Sequence, residues 1–311
     1  MTNKRRLPLL ATVSVLAGAL MLSGCSDPTK APESSGGGSS STLTVSSANF
    51  VESEIIGNLY AETLKDQGFT VETKFNIGSR EAYIPALTDG SIDLIPDYTG
   101  NLLLFLDPKA DVSTPASILN ALPAALLAKS LTAFTPASAE DKDAVVVTRA
   151  TAEKWNLKTI GDLKAHNAEL SIAGPPEFKE RPVGLPGLAT HYGVEPSKFV
   201  PIADGGGPAT VKALLDGTVS AANIFTTSTA IPANDLVVLE DPKNNFPAQQ
   251  VIPVAAKDKL DMKAIEAIDA VSAKLSTTEL IKLNEAVSGD TKTEPKTAAI
   301  DWLKAQGLIG K

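Results

Sequence analysis

The sequence predicts an α/β protein of two similar lobes joined by a hinge that the chain crosses twice. Three observations carry this: short β-branched runs alternate with amphipathic stretches from Leu43 onward, one such unit recurs at a constant offset of 127 residues, and a helical tail follows the second copy.

The alternation is clearest at the start of the unit. Leu43 to Ser47 reads as a strand, Glu52 to Gln67 as a helix, Thr70 to Phe75 as a strand, Arg80 to Thr88 as a helix and Ile92 to Ile95 as a buried strand. This βαβαβ order implies a mostly parallel sheet with helices on both faces.

The recurrence needs no gap between 43–100 and 170–227. Ala86-Leu87-Thr88-Asp89-Gly90-Ser91-Ile92 corresponds to Ala213-Leu214-Leu215-Asp216-Gly217-Thr218-Val219, Tyr98-Thr99 to Phe225-Thr226, Gly78 to Gly205, and Leu43-Thr44-Val45 to Leu170-Ser171-Ile172. Composition shared by any two helix–Gly–strand turns is the alternative source of the match. On either reading the chain holds two similar α/β lobes.

Beyond the second copy come strand candidates at Leu236 to Leu239 and Val251 to Ala255, then helices at Asp261 to Leu275, Thr278 to Ser288 and Pro295 to Gln306. The chain is expected to cross between lobes near 136–146, return near 246–254, and pack its tail on the first lobe. Lobe 1 is thus 43–140 with 250–311, and lobe 2 is 141–249. A hinge between two such lobes leaves a cleft at the carboxyl ends of the strands, where ligands of open sheets bind.

The N-terminal residues predict location. Lys4, Arg5 and Arg6 precede an apolar run from Leu7 to Leu22, the layout of a secretory signal and too short for a convincing permanent span. The run ends in Leu22-Ser23-Gly24-Cys25, so residues 1–25 read as a lipoprotein signal whose Cys25 thiol carries the lipid; a plain secreted protein would leave the placement of the only cysteine unexplained. With one cysteine no disulfide forms within the chain, and stability must come from core burial. Residues 26–42, rich in Ser, Gly, Pro and Thr without apolar periodicity, read as a flexible tether. A net charge of -8 argues against a nucleic-acid partner, which would need clustered Lys and Arg, and fits a domain outside the cell.

Candidate ligand-binding residues follow from the repeat. Tyr98 and Thr99, with Asp97 beside them, and Phe225 and Thr226 are expected to follow the last strand of each copy, so each lobe presents a ring and a hydroxyl at the cleft. Two rings across a closing cleft sandwich a cation or a flat group, and a cation over an aromatic face is worth about 0.5 to 2 kcal/mol. The competing assignment makes both rings core side chains. Gly78-Ser79-Arg80 and Asp204-Gly205-Gly206-Gly207-Pro208 each open a helix whose free N–H groups favour an anion, although turn chemistry alone also explains them. Asn49 and Phe50 after the first strand, and Phe178 with Arg181 after its counterpart, complete the set.

Enzyme chemistry finds little support, and no cofactor or metal is expected. His166 and His191 are the two histidines and lack metal-ligand spacing, His191 being expected on the polar face of a helix from Leu185 to Tyr192; neither a Gly-x-Ser-x-Gly elbow nor a Walker-type loop occurs.

Longer segments resemble a known family. These are Ser47-Ala48-Asn49-Phe50-Val51-Glu52-Ser53-Glu54-Ile55, Gly78-Ser79-Arg80-Glu81, Gly90-Ser91-Ile92-Asp93-Leu94-Ile95-Pro96-Asp97-Tyr98-Thr99-Gly100, Thr148 to Leu163, and Phe246-Pro247-Ala248-Gln249-Gln250-Val251-Ile252-Pro253. They are similar to the substrate-binding lipoproteins of ABC transporters for quaternary amines such as glycine betaine, choline and carnitine. The resemblance implies a type II periplasmic-binding-protein fold, an aromatic cage around a trimethylammonium head with polar groups on its carboxylate, permease and ATPase partners, and a lipid anchor on the outer face of the cytoplasmic membrane. Tyr98 matches a cage tyrosine by motif, and Phe225 stands where the second-lobe segment carries an aromatic. The sequence departs in having four tyrosines, Tyr60, Tyr83, Tyr98 and Tyr192, two of which read as helix residues. Two functions are thereby expected: solute capture for an importer, with betaine-type or other compact or aromatic cargo, and, as the alternative, a lipid-anchored sensor or adhesion module on the same fold.

Overall fold

A computed structural model describes residues 42–310. The signal segment, Cys25 and the tether up to residue 41 lie outside the described residues.

The first sheet is ordered β2-β1-β3-β10-β4, from β1 (Leu43–Ser46), β2 (Val71–Lys74), β3 (Leu94–Tyr98), β4 (Leu131–Ala133) and β10 (Val251–Ala256). The second is ordered β7-β6-β8-β5-β9, from β5 (Asp143–Thr148), β6 (Ser171–Gly174), β7 (Lys198–Pro201), β8 (Ala221–Phe225) and β9 (Leu236–Val238). Around the first lie α1 (Val51–Asp66), α2 (Arg80–Thr88), α3 (Thr99–Leu106) and α4 (Pro115–Leu127); α5 (Arg149–Trp155), α6 (Leu185–Gly187), α7 (Pro208–Leu215) and α8 (Ala230–Ala233) belong with the second. The tail is α9 (Met262–Lys274), α10 (Thr277–Ser288) and α11 (Pro295–Ala305). Ile268, Val271, Leu280, Leu283, Trp302 and Leu303 of the tail share one buried core with Ile55, Ile56, Leu59 and Leu64 of α1.

Both sheets are mixed. Their first three strands run parallel, while β10 and β5 enter antiparallel from across the molecule. The offset of 127 reappears as register: Val45 faces Leu94 as Ile172 faces Ala221. The turns leading into β3 and β8 are also the same object. Asp89 Oδ1 accepts from the backbone N–H and hydroxyl of Ser91, and Asp216 Oδ1 does so from Thr218. The glycines between them, Gly90 and Gly217, have φ of 80° and 75°, a conformation that a side chain resists.

The central strands end later than their apolar runs. The expected strand Ile92–Ile95 is observed at Leu94–Tyr98, and its counterpart in the second copy is Ala221–Phe225. Antiparallel neighbours extend them, since β10 pairs with β3 as far as Tyr98 and β5 pairs with β8 as far as Phe225. Pro96 lies mid-strand opposite Pro253, and β1 pairs with β3 only at Leu94, so the missing N–H of Pro96 opens no ladder. Tyr98 and Phe225 are therefore the last residues of their strands, each beside the antiparallel strand that comes from the connection between the sheets.

The two connections pair with each other. Ala137 N donates to Val251 O (2.8 Å), Val251 N to Ala139 O (3.0 Å) and Asp141 N to Gln249 O (3.1 Å). A short ribbon thus joins the sheets. Gly100 at the start of α3 lets segment 247–248 lie against it: an added Cβ would come within 2.5 Å of Ala248 O and 2.8 Å of Pro247 Cγ. Gly100→Ala is expected to destabilise the fold by about 1–3 kcal/mol through overpacking, read as a lower urea midpoint at unchanged slope; an unchanged midpoint would mean that the ribbon yields freely.

Candidate functional site

A cleft opens between the sheets above the ribbon. Phe50, at the N-terminus of α1, fills its centre: its ring lies 6.1 Å from Tyr98 at 33° and 5.2 Å from Phe225 at 61°, centroid to centroid. The second contact is edge-to-face, the arrangement that ring quadrupoles favour. Gly205 makes room for Phe50, whose Cβ would be 2.7 Å from any Cβ added there. Phe178, buried against Phe199 and Phe246, lines the cleft from the second lobe. The space amounts to about 830 Å³ including its open mouth; about 80 Å³ admits the centre of a water molecule, room for on the order of half a dozen waters.

Charge in the cleft is largely paired. Arg80 donates through Nε (3.0 Å) and Nη2 (2.5 Å) to Asp97 Oδ1, and Tyr83 donates to Asp97 Oδ2 (2.8 Å). Burial alone would lower the Arg80 pKa, but Asp97 outweighs it and holds the guanidinium firmly charged. At the mouth, Arg181 of the second lobe reaches Glu81 of the first (3.0 Å) and Glu177 beside it (3.5 Å). On the floor, Asp143 accepts from Asn101 Nδ2 (2.7 Å) and Asn223 Nδ2 (3.1 Å).

Behind Tyr98 lies a buried junction. Glu52 accepts from the Tyr98 hydroxyl (2.6 Å), the Thr227 hydroxyl (2.5 Å) and Asn284 Nδ2 (2.6 Å). Asp141, also buried, accepts from Thr227 N (3.0 Å). Burial first, and the Glu52 carboxylate next, raise both the Tyr98 phenol and the Asp141 carboxyl well above their usual ranges. The Asp141 carboxyl is therefore held protonated further up the pH scale than a free aspartate.

Of the residues singled out from sequence, Asn49, Phe50, Ser79, Arg80, Tyr98, Phe178, Arg181, Gly205 and Phe225 line this one cleft. The other four do not. Asp97 is fully buried beneath Arg80 and Tyr83, so its charge is spent inside the lobe. Thr99 accepts from Gln250 N (3.1 Å), tying α3 to the ribbon. Asp204 receives Ala209 N (2.8 Å) and Thr210 N (3.1 Å) at the start of α7, which occupies the amides that the Gly-rich turn was expected to offer an anion. Thr226 accepts from Lys142 N (3.0 Å). His191 meets Asn245 Oδ1 (3.0 Å) away from the cleft. Tyr83, Asn101, Asp141, Asp143, Glu177 and Gln249 line the cleft without having been foreseen. A signal existed for two of them: Asn101 adjoins the Tyr98-Thr99-Gly100 run, and Gln249 lies in the return crossing.

With this geometry in place, comparison with known proteins is informative. A family model described as the substrate binding domain of ABC-type glycine betaine transport system matches residues 41–305. The chain is 27% identical over 307 residues to the carnitine transport binding protein OpuCC of Listeria monocytogenes serotype 1/2a (strain 10403S), covering 97% of both. It is 28% identical over 283 residues to the glycine betaine-binding protein YehZ of Escherichia coli (strain K12), covering 86% of this chain and 91% of that one. Among solved structures, that of a glycine betaine/carnitine/choline ABC transporter superposes with a TM-score of 0.66 at 25% identity, over 86% of this chain and 100% of the other. The shared architecture is the two-lobe α/β fold of periplasmic binding proteins.

The Asp141 proton has a measurable consequence. A carboxyl whose pKa is raised by folding contributes stability that is fully present below its unfolded pKa of about 3.9 and is lost as pH rises through the folded value. Asp141→Asn, which cannot titrate, is expected to flatten the decline of unfolding free energy as pH rises above about 4, followed by urea denaturation at each pH. Equal slopes in both proteins would contradict the raised pKa of Asp141.

Proposed function

Because this chain belongs to the family of substrate-binding domains of ABC-type glycine betaine transport systems, we propose that it captures a small quaternary-ammonium solute outside the cytoplasm and hands it to a membrane permease driven by an ATPase. The observation that carries this reading is the Phe50, Tyr98 and Phe225 cluster, drawn from both lobes and meeting in one cleft. A cation over such faces gains about 0.5 to 2 kcal/mol each, more as water is excluded. The carnitine and glycine betaine named for the relatives OpuCC and YehZ support the ligand class.

In this reading 43–140 with 250–311 forms one moving body and 141–249 the other, with the ribbon as hinge. Closure brings Phe225 to Phe50, and Arg181 to Glu81 across the mouth. That ion pair is partly exposed, so it contributes little to stability and acts chiefly by making closure geometrically definite. The signal segment and Cys25 support a lipid anchor at the outer face of the cytoplasmic membrane.

Two experiments test the proposal. Calorimetry with carnitine, choline and glycine betaine is expected to find at least one ligand, whose affinity falls about 2- to 30-fold in Phe225→Ala and again in Tyr98→Ala; affinities unmoved by both changes would remove the cage. Expression in a lipoprotein-processing host is expected to place the protein in the detergent phase and Cys25→Ser in the aqueous phase, whereas identical partitioning would exclude the anchor.

A further inference from the structure

Among the described residues, Glu52 is a buried carboxylate whose hydrogen-bond partners are all neutral. Its Oε1 accepts from the Tyr98 hydroxyl (2.6 Å), and its Oε2 accepts from the Thr227 hydroxyl (2.5 Å) and Asn284 Nδ2 (2.6 Å). Asp97, by contrast, is paired with the Arg80 guanidinium. Neutral donors recover only part of the cost of taking a charge out of water, and a nearby cation recovers more.

The geometry shows where such a cation fits. Glu52 stands in the first turn of α1, two residues after Phe50, so one helix start delivers both the central ring of the cleft and the carboxylate. Tyr98 lines the cleft and Glu52 does not; the Tyr98 ring is the body between them. Burial first, and the Glu52 carboxylate next, hold the Tyr98 phenol well above its usual range, so it stays a donor. A quaternary ammonium has no N–H to give a carboxylate and is attracted instead through ring faces. A phenol that donates to a carboxylate is polarised toward phenolate, which makes its ring face more negative.

We infer that Glu52 is a positioning residue for solute binding: through the Tyr98 hydroxyl it fixes that ring and supplies, from behind it, the countercharge of the bound cation. This deepens the reading of the cleft as a quaternary-ammonium site and rests on it. Position 98 then needs tyrosine rather than phenylalanine, because a bare ring of the same size gives the carboxylate nothing to hold. The contribution is to charge and not to shape, so an uncharged solute of the same outline gains nothing from it.

The test is calorimetry on the intact folded protein with the tightest binder among choline, carnitine and glycine betaine, and with its analogue carrying tert-butyl in place of trimethylammonium. Wild type, Glu52→Gln, Tyr98→Phe and the double variant are compared, each checked for folding by thermal melting. Glu52→Gln removes the charge and keeps the outline; Tyr98→Phe removes the hydroxyl and keeps the ring. Each single change is expected to weaken the cation about 5- to 30-fold and the uncharged analogue by less than about twofold. The double variant is expected to lose less than the product of the two single losses, because both break one interaction. Single losses that multiply in the double variant overturn the inference, as does cation affinity within about twofold of wild type in Glu52→Gln. Equal losses for the cation and its analogue also overturn it, since loosening of the wall alone gives that result. If Glu52→Gln does not fold, Tyr98→Phe decides, and unchanged cation affinity there overturns the inference. In each of these cases the wild type still binds its cation, and the quaternary-ammonium reading of the cleft stands; failure of all three cations to bind the wild type overturns both.

Discussion

The carboxylate of Glu52 stands where four parts of the chain meet. It stands at the start of α1 and receives a ring hydroxyl from the end of β3, a hydroxyl from just beyond β8 and an amide from α10. Taking a carboxylate out of water costs several kcal/mol unless every lone pair is met. Here all three donors exist only when both sheets and the tail are in place. Truncating any one donor therefore leaves a buried, under-satisfied charge, and the wall of the cleft loses the support that orients Tyr98. The junction also ties the two sheets together, because Thr227 comes from beyond the second sheet's β8 while Glu52 comes from α1 beside the first.

Around that junction the chain uses one structural unit twice and then lets the copies diverge where chemistry is needed. The β1 N–H of Thr44 is met by Asp93, and the equivalent N–H of Ser171 by Ser220, so the same bond is made by a carboxylate in one lobe and a hydroxyl in the other. The buried Arg80, Tyr83 and Asp97 network has no counterpart in the second lobe, where the positions one repeat later are Gly207, Thr210 and Ile224. The first lobe thus holds the rigid charged scaffold and two of the three central rings, and the second contributes Phe225, Phe178 and Arg181. Phe50, from the first lobe, does the bridging between Tyr98 and Phe225.

The sheets were legible because their signals are local: β-branched runs, helical periodicity and the Asp-Gly-Ser/Thr turn that repeats at 127 residues all lie within short windows. Strand ends were not, because the pairing that carries β3 through Pro96 to Tyr98 comes from β10, more than a hundred residues away. The aromatic part of the cleft followed from the repeat, which puts Tyr98 and Phe225 at equivalent strand ends. Its polar part did not. Asn101, Asp143 and Gln249 meet only through tertiary structure, and nothing in the local sequence of Asp143 distinguishes it from a solvated carboxylate. Conversely, Asp97 looks like a ligand group in sequence because it adjoins Tyr98; successive residues of a strand point to opposite faces, and Asp97 turns inward to Arg80.

The central claim is that a quaternary ammonium group sits among Phe50, Tyr98 and Phe225. A crystal structure of the protein grown with choline tests it most directly. The expected result is ligand nitrogen within about 6 Å of the centroids of those rings. Ligand density instead in the wider groove lined by Val211, Leu215 and Val287, with none in the cleft, would contradict it.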